Sequence, residues 1–575
     1  MKRSLLIMAA LGMAVGMVYH QVWQFSFVSF DDFALVVDNP AIRPGLTWSG
    51  LQWAFASAWR ENLFFYPLSL ASHMLDTQLF GLNPAGHHLT SVALHLTAVI
   101  FFFLFLRRLS GQNWRPALAA GLFAVHPLGV ESVAWVAERS NVLCAALTAL
   151  TLYAHARYAR CHRPGWYGLS LGAFTLALLA KPTAVMVPLI LLLLDWLLLD
   201  DKGVPSSAKT DAGRRLLEKV PFFLLAGLRL MAVFLSARSG SPVLAGETVS
   251  TGLVAANALR SLVIYLFQVV WPFNLSVYYP FPQSIPWWQP IGAAVVLILI
   301  TVGVVRQRRR YPLLLLGWLW YLVFLAPSFG AVRSGPWPAM ADHYVYIPLL
   351  GVGMMIAWAV PPGRLQRPIL RKTLAGLVLV LLTLSGVAAF YQAQHFRNSK
   401  AMFTQALAVT KNNFFAHIGL GNVYREEENF PAAAIQFRRA LDITPDSAGA
   451  HANLGMVLGR LEKTEAARHH LQTALDLSPK LVPAHIGMAN LLQQTGRIGP
   501  AVRHYRQVLC LDPDNVAAHY NLGRLLLDQG DAGSAADHFA RALAARPDDV
   551  RIRRALRLAE TPSGETKTGA PVPVR

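Results

Sequence analysis

The amino-acid sequence predicts an all-α protein in two parts: a bundle of about eleven membrane-spanning helices, followed by a solenoid of short helical repeats. Hydrophobic residues make up 54% of the 575 residues and charged residues only 14%, with a mean hydropathy of +0.40. Soluble proteins carry about 25% charged residues, so a purely soluble enzyme is excluded. Apolar runs long enough to cross a bilayer fill the first 390 positions, and the chain beyond them repeats with a period of 34 residues.

The apolar runs define the predicted spans, each about 17–25 residues long. They lie near 4–22, 88–106, 116–130, 139–156, 166–181, 182–199, 220–237, 288–305, 312–329, 344–360 and 373–391. The segment 253–272 is also apolar, but Arg260 and the terminal Trp271-Pro272 favour a re-entrant or interfacial segment. The first apolar run has no small-residue cleavage site after it, which favours an uncleaved anchor over a signal peptide.

Lysine and arginine residues are distributed unequally between the two sides of this layout. Twenty-one lie on the side of the N-terminus and seven on the other side. By the positive-inside rule, the N-terminus is expected in the cytoplasm and everything after about residue 391 outside it. The same loops account for the formal net charge of +20, so no nucleic-acid partner is expected. The three cysteines match neither a disulfide framework nor a metal site.

The 34-residue period has the pattern of tetratricopeptide (TPR) repeats. Three sets of residues keep this spacing: Pro445, Pro479, Pro513 and Pro547; Ala433, Ala467, Ala501 and Ala535; and Phe437, Leu471, Tyr505 and Phe539. We therefore predict a membrane domain over 1–391 and a repeat domain over 392–560, with a disordered tail over 561–575. The repeat domain should hold a leading helix, four full repeats and a capping helix.

Two asparagines are predicted to bind acceptor chains on the concave face of the repeats. Asn453 and Asn521 occupy the same position in two repeats, just before Leu454 and Leu522. An asparagine amide can both donate to and accept from a peptide backbone. The alternative is that both asparagines form hydrogen bonds within the repeat stack.

Polar residues in the outer loops are the candidates for chemistry. Asp31 and Asp32 open the loop 23–87, where a carboxylate could act as a general base or belong to an ordinary solvated loop. In the second outer loop, Glu131 and Glu138 would share a face if 129–138 were helical, and Glu138 could instead pair with Arg139. Lys181 could contact a phosphate at membrane depth or extend towards the interface.

The same two interpretations apply to the segment Asp342-His343-Tyr344. Asn274 to Tyr279 is predicted to be part of an aromatic belt at the membrane interface. No His, Asp or Glu cluster has metal-ligand spacing, so no metal is assigned, and no cofactor is firmly implied.

Several of these segments together resemble a known family. FDDFALVVDNP, HPLGVESVAWVAERSNVL, LLAKPTAVMVPLILLLLDWL, WPFNLSVYYP and ADHYVYIPL, followed by TPR repeats, are similar to the transmembrane-and-TPR O-mannosyltransferases and their bacterial relatives. That family belongs to the GT-C glycosyltransferase superfamily, whose members take sugars from polyprenyl-phosphate carriers. Its pattern often has arginine where this chain has His343, so a phosphate contact there requires a protonated histidine.

The resemblance implies a membrane glycosyltransferase that moves a hexose, with mannose as one candidate, to Ser or Thr hydroxyls of proteins outside the cytoplasm. It makes Asp31 or Asp32 the base, with a slight preference for Asp31, and implies inversion at the anomeric carbon. Lys181, Arg139 or His343 would contact the leaving phosphate, and Glu131 would orient the acceptor or, in metal-using relatives, a metal. Acceptor proteins would bind in the TPR groove. The expected location is a bacterial inner membrane with periplasmic repeats.

Two other classes of function fit the same sequence. A non-catalytic, membrane-anchored TPR scaffold would not need Asp31 or Asp32. A flippase or transporter of lipid-linked sugars would show activity without a covalent product.

Overall fold

The computed structural model describes residues 2–60, 66–199, 212–238, 249–329, 338–360 and 367–561. The chain divides into two compact units, Met1–Lys411 and Asn412–Arg575. The predicted boundary near residue 391 thus lies about twenty residues too early, because the leading helix packs with the membrane unit. The predicted disordered tail falls, apart from its first residue, outside the described residues.

The all-α prediction is confirmed, since the described part of the chain holds helices and a single isolated β-bridge between Tyr279 and Met340. The helices of the first unit are α1 Lys2–Tyr19, α2 Trp48–Arg60, α3 Pro67–Phe80, α4 Pro84–Ser110, α5 Trp114–Val125, α6 Val130–Ala134, α7 Arg139–Cys161, α8 Pro164–Ala180, α9 Val187–Leu199, α10 Ala212–Leu217, α11 Val220–Arg238, α12 Thr251–Val270, α13 Trp288–Arg306, α14 Pro312–Leu325, α15 Tyr346–Ala359, α16 Pro368–Gln394 and α17 Ser399–Val409.

The structure does not confirm eleven spans. Within the described residues, six helical segments are long and apolar enough to cross a membrane, or seven if the bent pair α5–α6 counts as one span. One of the six is α12, a continuous helix of 20 residues that is long and apolar enough to span, and its re-entrant or interfacial placement stays a prediction. Arg260 does not interrupt it, because one charged residue leaves the rest of the helix apolar.

Helices α1 and α16 run parallel, which places two distant parts of the chain on one side of the bundle. Val18 lies beside Gly386, the Gln21 amide donates to the Phe390 carbonyl, and the Ser26 N–H donates to the Arg397 carbonyl. Along this contact the residue numbers of the two segments rise together, which shows that the two helices run in the same direction. The loop after α1 and the segment after α16 are therefore at the same end, whatever the number of spans between them.

The second unit has the helix pairs that the period predicts. They are α18 Phe414–Glu426 and α19 Phe430–Ile443, α20 Ala448–Arg460 and α21 Thr464–Leu477, α22 Val482–Gln494 and α23 Ile498–Leu511, α24 Val516–Asp528 and α25 Ala532–Ala545, then α26 Val550–Glu560. A Cβ on Gly421 would lie 2.6 Å from the Phe437 ring. The glycine is thus required for the close approach of the two helices in a repeat.

Candidate active site

Asp31 and Asp32 differ sharply in their surroundings although they are neighbours in sequence. Asp32 is fully buried, and its two oxygens accept the N–H groups of Val28 at 2.9 Å and Ala137 at 2.7 Å. Burial raises the Asp32 pKa to about 7, partly offset by these two hydrogen bonds. Asp32 therefore ties the first outer loop to the second.

Asp31 is exposed and is the carboxylate of the pair that a substrate can reach. Partial desolvation by the surrounding protein, followed by the negative charge of Glu138, raises its pKa to about 6, and the nearby His343 acts in the opposite direction. A carboxylate with a pKa just below neutral is well matched to general-base catalysis. The structure thus distinguishes two residues that the sequence left as alternatives.

A charged cluster lies within electrostatic reach of Asp31 and consists of Glu131, Glu138, Asn141, Lys181 and His343. His343 Nδ1 lies 2.5 Å from the Glu131 carboxylate, and its Nε2 lies 3.7 Å from Glu138. The other oxygen of Glu138 lies 3.4 Å from Lys181 and accepts a hydrogen bond from the Asn141 amide. Lys181 also donates to Asn141 Oδ1 at 2.6 Å.

The two carboxylates favour the cationic form of His343. Burial lowers the His343 pKa, but Glu138 and Glu131 outweigh this and raise it above the usual histidine value. Burial also acts to raise the Glu138 pKa, but His343 and Lys181 hold it below its ordinary value. These charges favour the protonated form of His343 that a phosphate contact would require.

Local backbone structure brings these side chains together. The segment 129–138 does not form one helix: α6 ends at Ala134, Trp135 is extended with a ψ of 120°, and a short 3-10 turn Val136–Glu138 follows. In the segment that carries His343, the Tyr265 hydroxyl forms hydrogen bonds with the backbone of Ala341. The Tyr279 hydroxyl donates to the Asp342 carboxylate. Tyr279 thus positions the His343 segment rather than forming part of an interface belt.

Lys181 and His343 line a small cleft of about 20 Å³ beside the cluster. Asn141, Thr183, Phe324, Ser328, Tyr344, Ile347 and Pro348 complete its lining. The Lys181 side chain is only 13% exposed and has two polar partners, so it does not extend towards an interface. The two cations at one cleft are suited to an anionic group.

Two predicted roles require correction. Arg139 is fully buried and directed away from the cluster: it pairs with Asp76 at 2.7 Å and donates to Ser91 and to the His87 carbonyl. It cannot reach a donor phosphate, nor does it pair with Glu138. Glu131 is 2% exposed and contacts His343, so it acts through His343 and does not touch an acceptor.

The fold brings together one group of possible metal ligands that the sequence did not indicate, because these residues are not at metal-ligand spacing. His73, Asp76 and His87 place one ligand atom each within 4.8 Å of the others. Arg139 is paired with the same Asp76 carboxylate, and its positive charge opposes a metal ion there. The donor set therefore does not fit a metal while Arg139 is in place.

The TPR groove differs in detail from its prediction. A cavity of about 900 Å³ is lined by Gly487, Asn490, Gln493, Gln494, Asn521 and Arg524, among others, but not by Asn453. Asn521 donates to Asn490 Oδ1 at 3.3 Å, so it both lines the groove and forms a bond within the stack. Asn490 lines the groove where Asn453 does not, and the spacing of Asn453 and Asn521 in the sequence did not indicate it.

The fold and the site together define a class of protein. It is a membrane helix bundle with an acidic loop beside two buried cations, followed in sequence by TPR repeats. Residues 67–235 match the family described as dolichyl-phosphate-mannose-protein mannosyltransferase, and 421–462, 448–481 and 486–550 match TPR families. The first match includes Glu131, Glu138 and Lys181 but neither Asp31 nor His343. It covers less than a third of the chain.

Two curated relatives illustrate the similarity. Protein O-mannosyl-transferase TMTC4 of Homo sapiens is 24% identical over 464 residues, which cover 70% of this chain and 62% of the relative. Protein O-mannosyl-transferase TMTC1 of Mus musculus is 30% identical over 177 residues, covering 27% of this chain and 18% of the relative. The match thus spans about three fifths of the length of the first relative.

A solved TPR protein from Thermus thermophilus is 21% identical and covers 32% of this chain and 94% of its own, with a TM-score of 0.26. The predicted resemblance to the transmembrane-and-TPR O-mannosyltransferases is confirmed by the sequence matches, and the chain is a multi-pass membrane protein.

Proposed function

We propose that this protein is a GT-C-type, inverting glycosyltransferase that moves a hexose, with mannose favoured by its relatives, from a polyprenyl-phosphate donor to Ser or Thr hydroxyls of proteins. The single observation that carries the proposal is the exposed Asp31 beside a cleft bordered by Lys181 and His343. Such a transfer requires a base at the acceptor hydroxyl and positive charge at the leaving phosphate.

Asp31 would take the proton of the acceptor hydroxyl while that oxygen attacks the anomeric carbon. The bond between this carbon and the phosphate oxygen breaks in the same step, which inverts the configuration. The departing lipid phosphate gains negative charge, and Lys181 with protonated His343 would stabilise that charge. Glu131 and Glu138 are positioning residues, since they hold the two cations in place.

The position of the Asp31 loop beside the end of α16 supports an outward-facing reaction. The loop that carries Asp31 lies at the same end of the bundle as the segment leading into the repeats. With the charge asymmetry of the loops, we place both outside the cytoplasm, in the periplasm if the membrane is a bacterial inner membrane. A nucleotide sugar is cytoplasmic, so a donor carried by a lipid is the suitable substrate there.

The test of this proposal compares cells that produce the wild type, Asp31→Asn or Asp38→Asn. Asp38 is an exposed carboxylate of the same loop and provides the matched control. Loss of a general base lowers the rate by about 10²–10⁴-fold. Glycopeptide analysis of outer-compartment proteins should show hexose-modified Ser and Thr with the wild type and Asp38→Asn only. Equal modification with Asp31→Asn would favour the non-catalytic TPR scaffold.

We further propose that the TPR groove binds the acceptor protein. Its amides, including Asn490 and Gln494, can donate to and accept from an extended backbone. The double variant Gln494→Ala and Asn521→Ala should weaken modification of a protein acceptor more than that of a short peptide. Asn453→Ala, which lies off the cavity, should change neither. An equal loss with both acceptors would indicate a structural role for the pair.

A further inference from the structure

A second polar cavity lies at the end of the bundle opposite to Asp31. Helices α4 and α7 pack side by side in parallel: Arg139 at the start of α7 contacts Ser91 near the start of α4. Their last turns carry Arg107, Arg108, Arg157 and Arg160, which surround a cavity of about 210 Å³ together with Leu104 and Tyr153. We call these six residues the arginine cavity. The proposed transfer reaction makes no use of it.

Among the residues that the structure describes, the arginine cavity has an excess of positive charge that no carboxylate balances. None of the described residues lining it is acidic, and across the described ranges none of its four arginines has a carboxylate within ion-pair distance. The C-termini of α4 and α7 contribute roughly half a negative charge each. About one negative charge therefore opposes four positive charges that repel one another.

Hydrogen-bond donors inside the cavity are also left without acceptors. The Nε atoms of Arg108 and Arg157 are both buried, and neither has a hydrogen-bond partner within the described part of the chain. The Arg157 guanidinium is held by the Trp166 ring at 4.6 Å, and Arg107 is oriented by Asn113 at 2.9 Å. Buried donors without acceptors are costly, and phosphate oxygens are the acceptors that arginine guanidinium groups bind best.

The position of the cavity indicates the source of that phosphate. His88 in α4 packs edge-on against Phe25, in the segment that leads to Asp31. About nineteen residues of α4 separate His88 from Arg107, or roughly 29 Å of helix, which is close to the thickness of the bilayer hydrocarbon core. The arginines thus lie at the headgroup level of the leaflet opposite to Asp31. Leu104 and Tyr153 on the cavity wall suit the adjoining glycerol and acyl region of a lipid. We propose that the arginine cavity binds the phosphate of an anionic membrane lipid.

The experiment measures the melting temperature and lipid binding of the full chain in neutral detergent. The probes are phosphatidylglycerol, phosphatidylcholine and inorganic phosphate, added separately. The test variant is Arg108→Gln with Arg160→Gln, which removes two charges and keeps an unbranched polar side chain at each position. The control variant is Arg308→Gln with Arg309→Gln, two exposed arginines that the charge pattern assigns to the same side of the membrane.

Phosphatidylglycerol, but not phosphatidylcholine, should raise the melting temperature of the wild type and of the control. The test variant should bind phosphatidylglycerol about tenfold or more weakly, the scale expected for lost hydrogen bonds between charged groups. Without lipid it should melt no lower than the wild type, because removing two of four like charges relieves repulsion. If inorganic phosphate raised the melting temperature as much as phosphatidylglycerol does, the phosphate site would be supported, but its ligand would be a soluble phosphate.

Three results would overturn the proposal. The first is an equal phosphatidylglycerol response in the wild type and the test variant. The second is an equal loss in the control, which would show only general surface attraction. The third is a lower melting temperature of the test variant without lipid, which would show that the arginines brace the fold.

Discussion

At the scale of single residues, the environment of a charge decides its role more than its sequence neighbours do. Asp31 and Asp32 are adjacent, yet one is exposed and the other is buried with two backbone partners. Arg139 is adjacent to Glu138, yet it pairs with Asp76 of α3. Such distinctions depend on which distant segment packs against each side chain, and this can be tested by substitution.

The first prediction concerns the buried pair of Arg139 and Asp76. Arg139→Gln leaves the Asp76 carboxylate buried without its countercharge, which should destabilise the protein by about 3–5 kcal/mol. Thermal unfolding of the full chain in detergent measures this loss. Asp76→Asn combined with Arg139→Gln should recover part of it, because neither charge then remains. A stable Arg139→Gln protein with selectively weakened donor use would restore the phosphate role.

The second prediction concerns the pH dependence of transfer. The pKa of Asp31 is raised to about 6, so its basic form, and with it the rate, should fall as the pH drops below about 6. Because the pKa of His343 is raised, His343 should lose its positive charge only at a pH above the usual histidine value of about 6.5. The rate measured against pH should therefore be highest near neutrality. A rate undiminished well below pH 6 would exclude Asp31 as the base.

At the scale of secondary-structure elements, histidine pairs join the two helices within each of three repeats. His451 and His470, His485 and His504, and His519 and His538 each have Nδ1 atoms 2.8–2.9 Å apart. The first repeat has His417 and Gln436 in the same place. Burial, together with the paired histidine, lowers the pKa of His470, His504 and His538.

The third prediction follows from the sign of these shifts. Because the folded repeats bind protons less readily than the unfolded chain, the pairs contribute stability above about pH 6.5, and this contribution falls as the pH decreases. Replacing His470, His504 and His538 with glutamine, as in the first repeat, should make the melting temperature less sensitive to acid. His417→Gln serves as the control and should leave that sensitivity unchanged. An unchanged slope in the triple variant would contradict the assignment.

The fold was more predictable from the sequence than the site, for a physical reason. TPR contacts connect neighbouring repeats, so residues such as Gly421 and Phe437 leave a local pattern of fixed period. The site joins segments separated by up to about three hundred residues. The sequence indicated Lys181 and His343 as polar residues at helix ends, but no local signal paired them with Glu138 or revealed Asn141. The apolar character of α12 was visible, but whether it forms one continuous helix was not.

At the scale of the whole molecule, the account depends on which side of the membrane each part of the chain occupies. The parallel α1 and α16 place the Asp31 loop and the approach to the repeats at one end of the bundle. The fourth prediction is that a reporter active only outside the cytoplasm works when fused after Arg575, and one active only inside it works at the N-terminus. A cytoplasmic reporter active after Arg575 would remove the proposed acceptor-binding role of the repeats.

The central claim is covalent sugar transfer that depends on Asp31. The most direct measurement incubates the purified full chain with polyprenyl-phosphate mannose and a serine- and threonine-containing acceptor, and records the intact mass of the acceptor. The wild type and Asp38→Asn should add the mass of a hexose only when the lipid donor is present, and Asp31→Asn should be slower by about 10²–10⁴-fold. An acceptor of unchanged mass with the correctly folded wild type, or equal transfer by Asp31→Asn, would contradict the account.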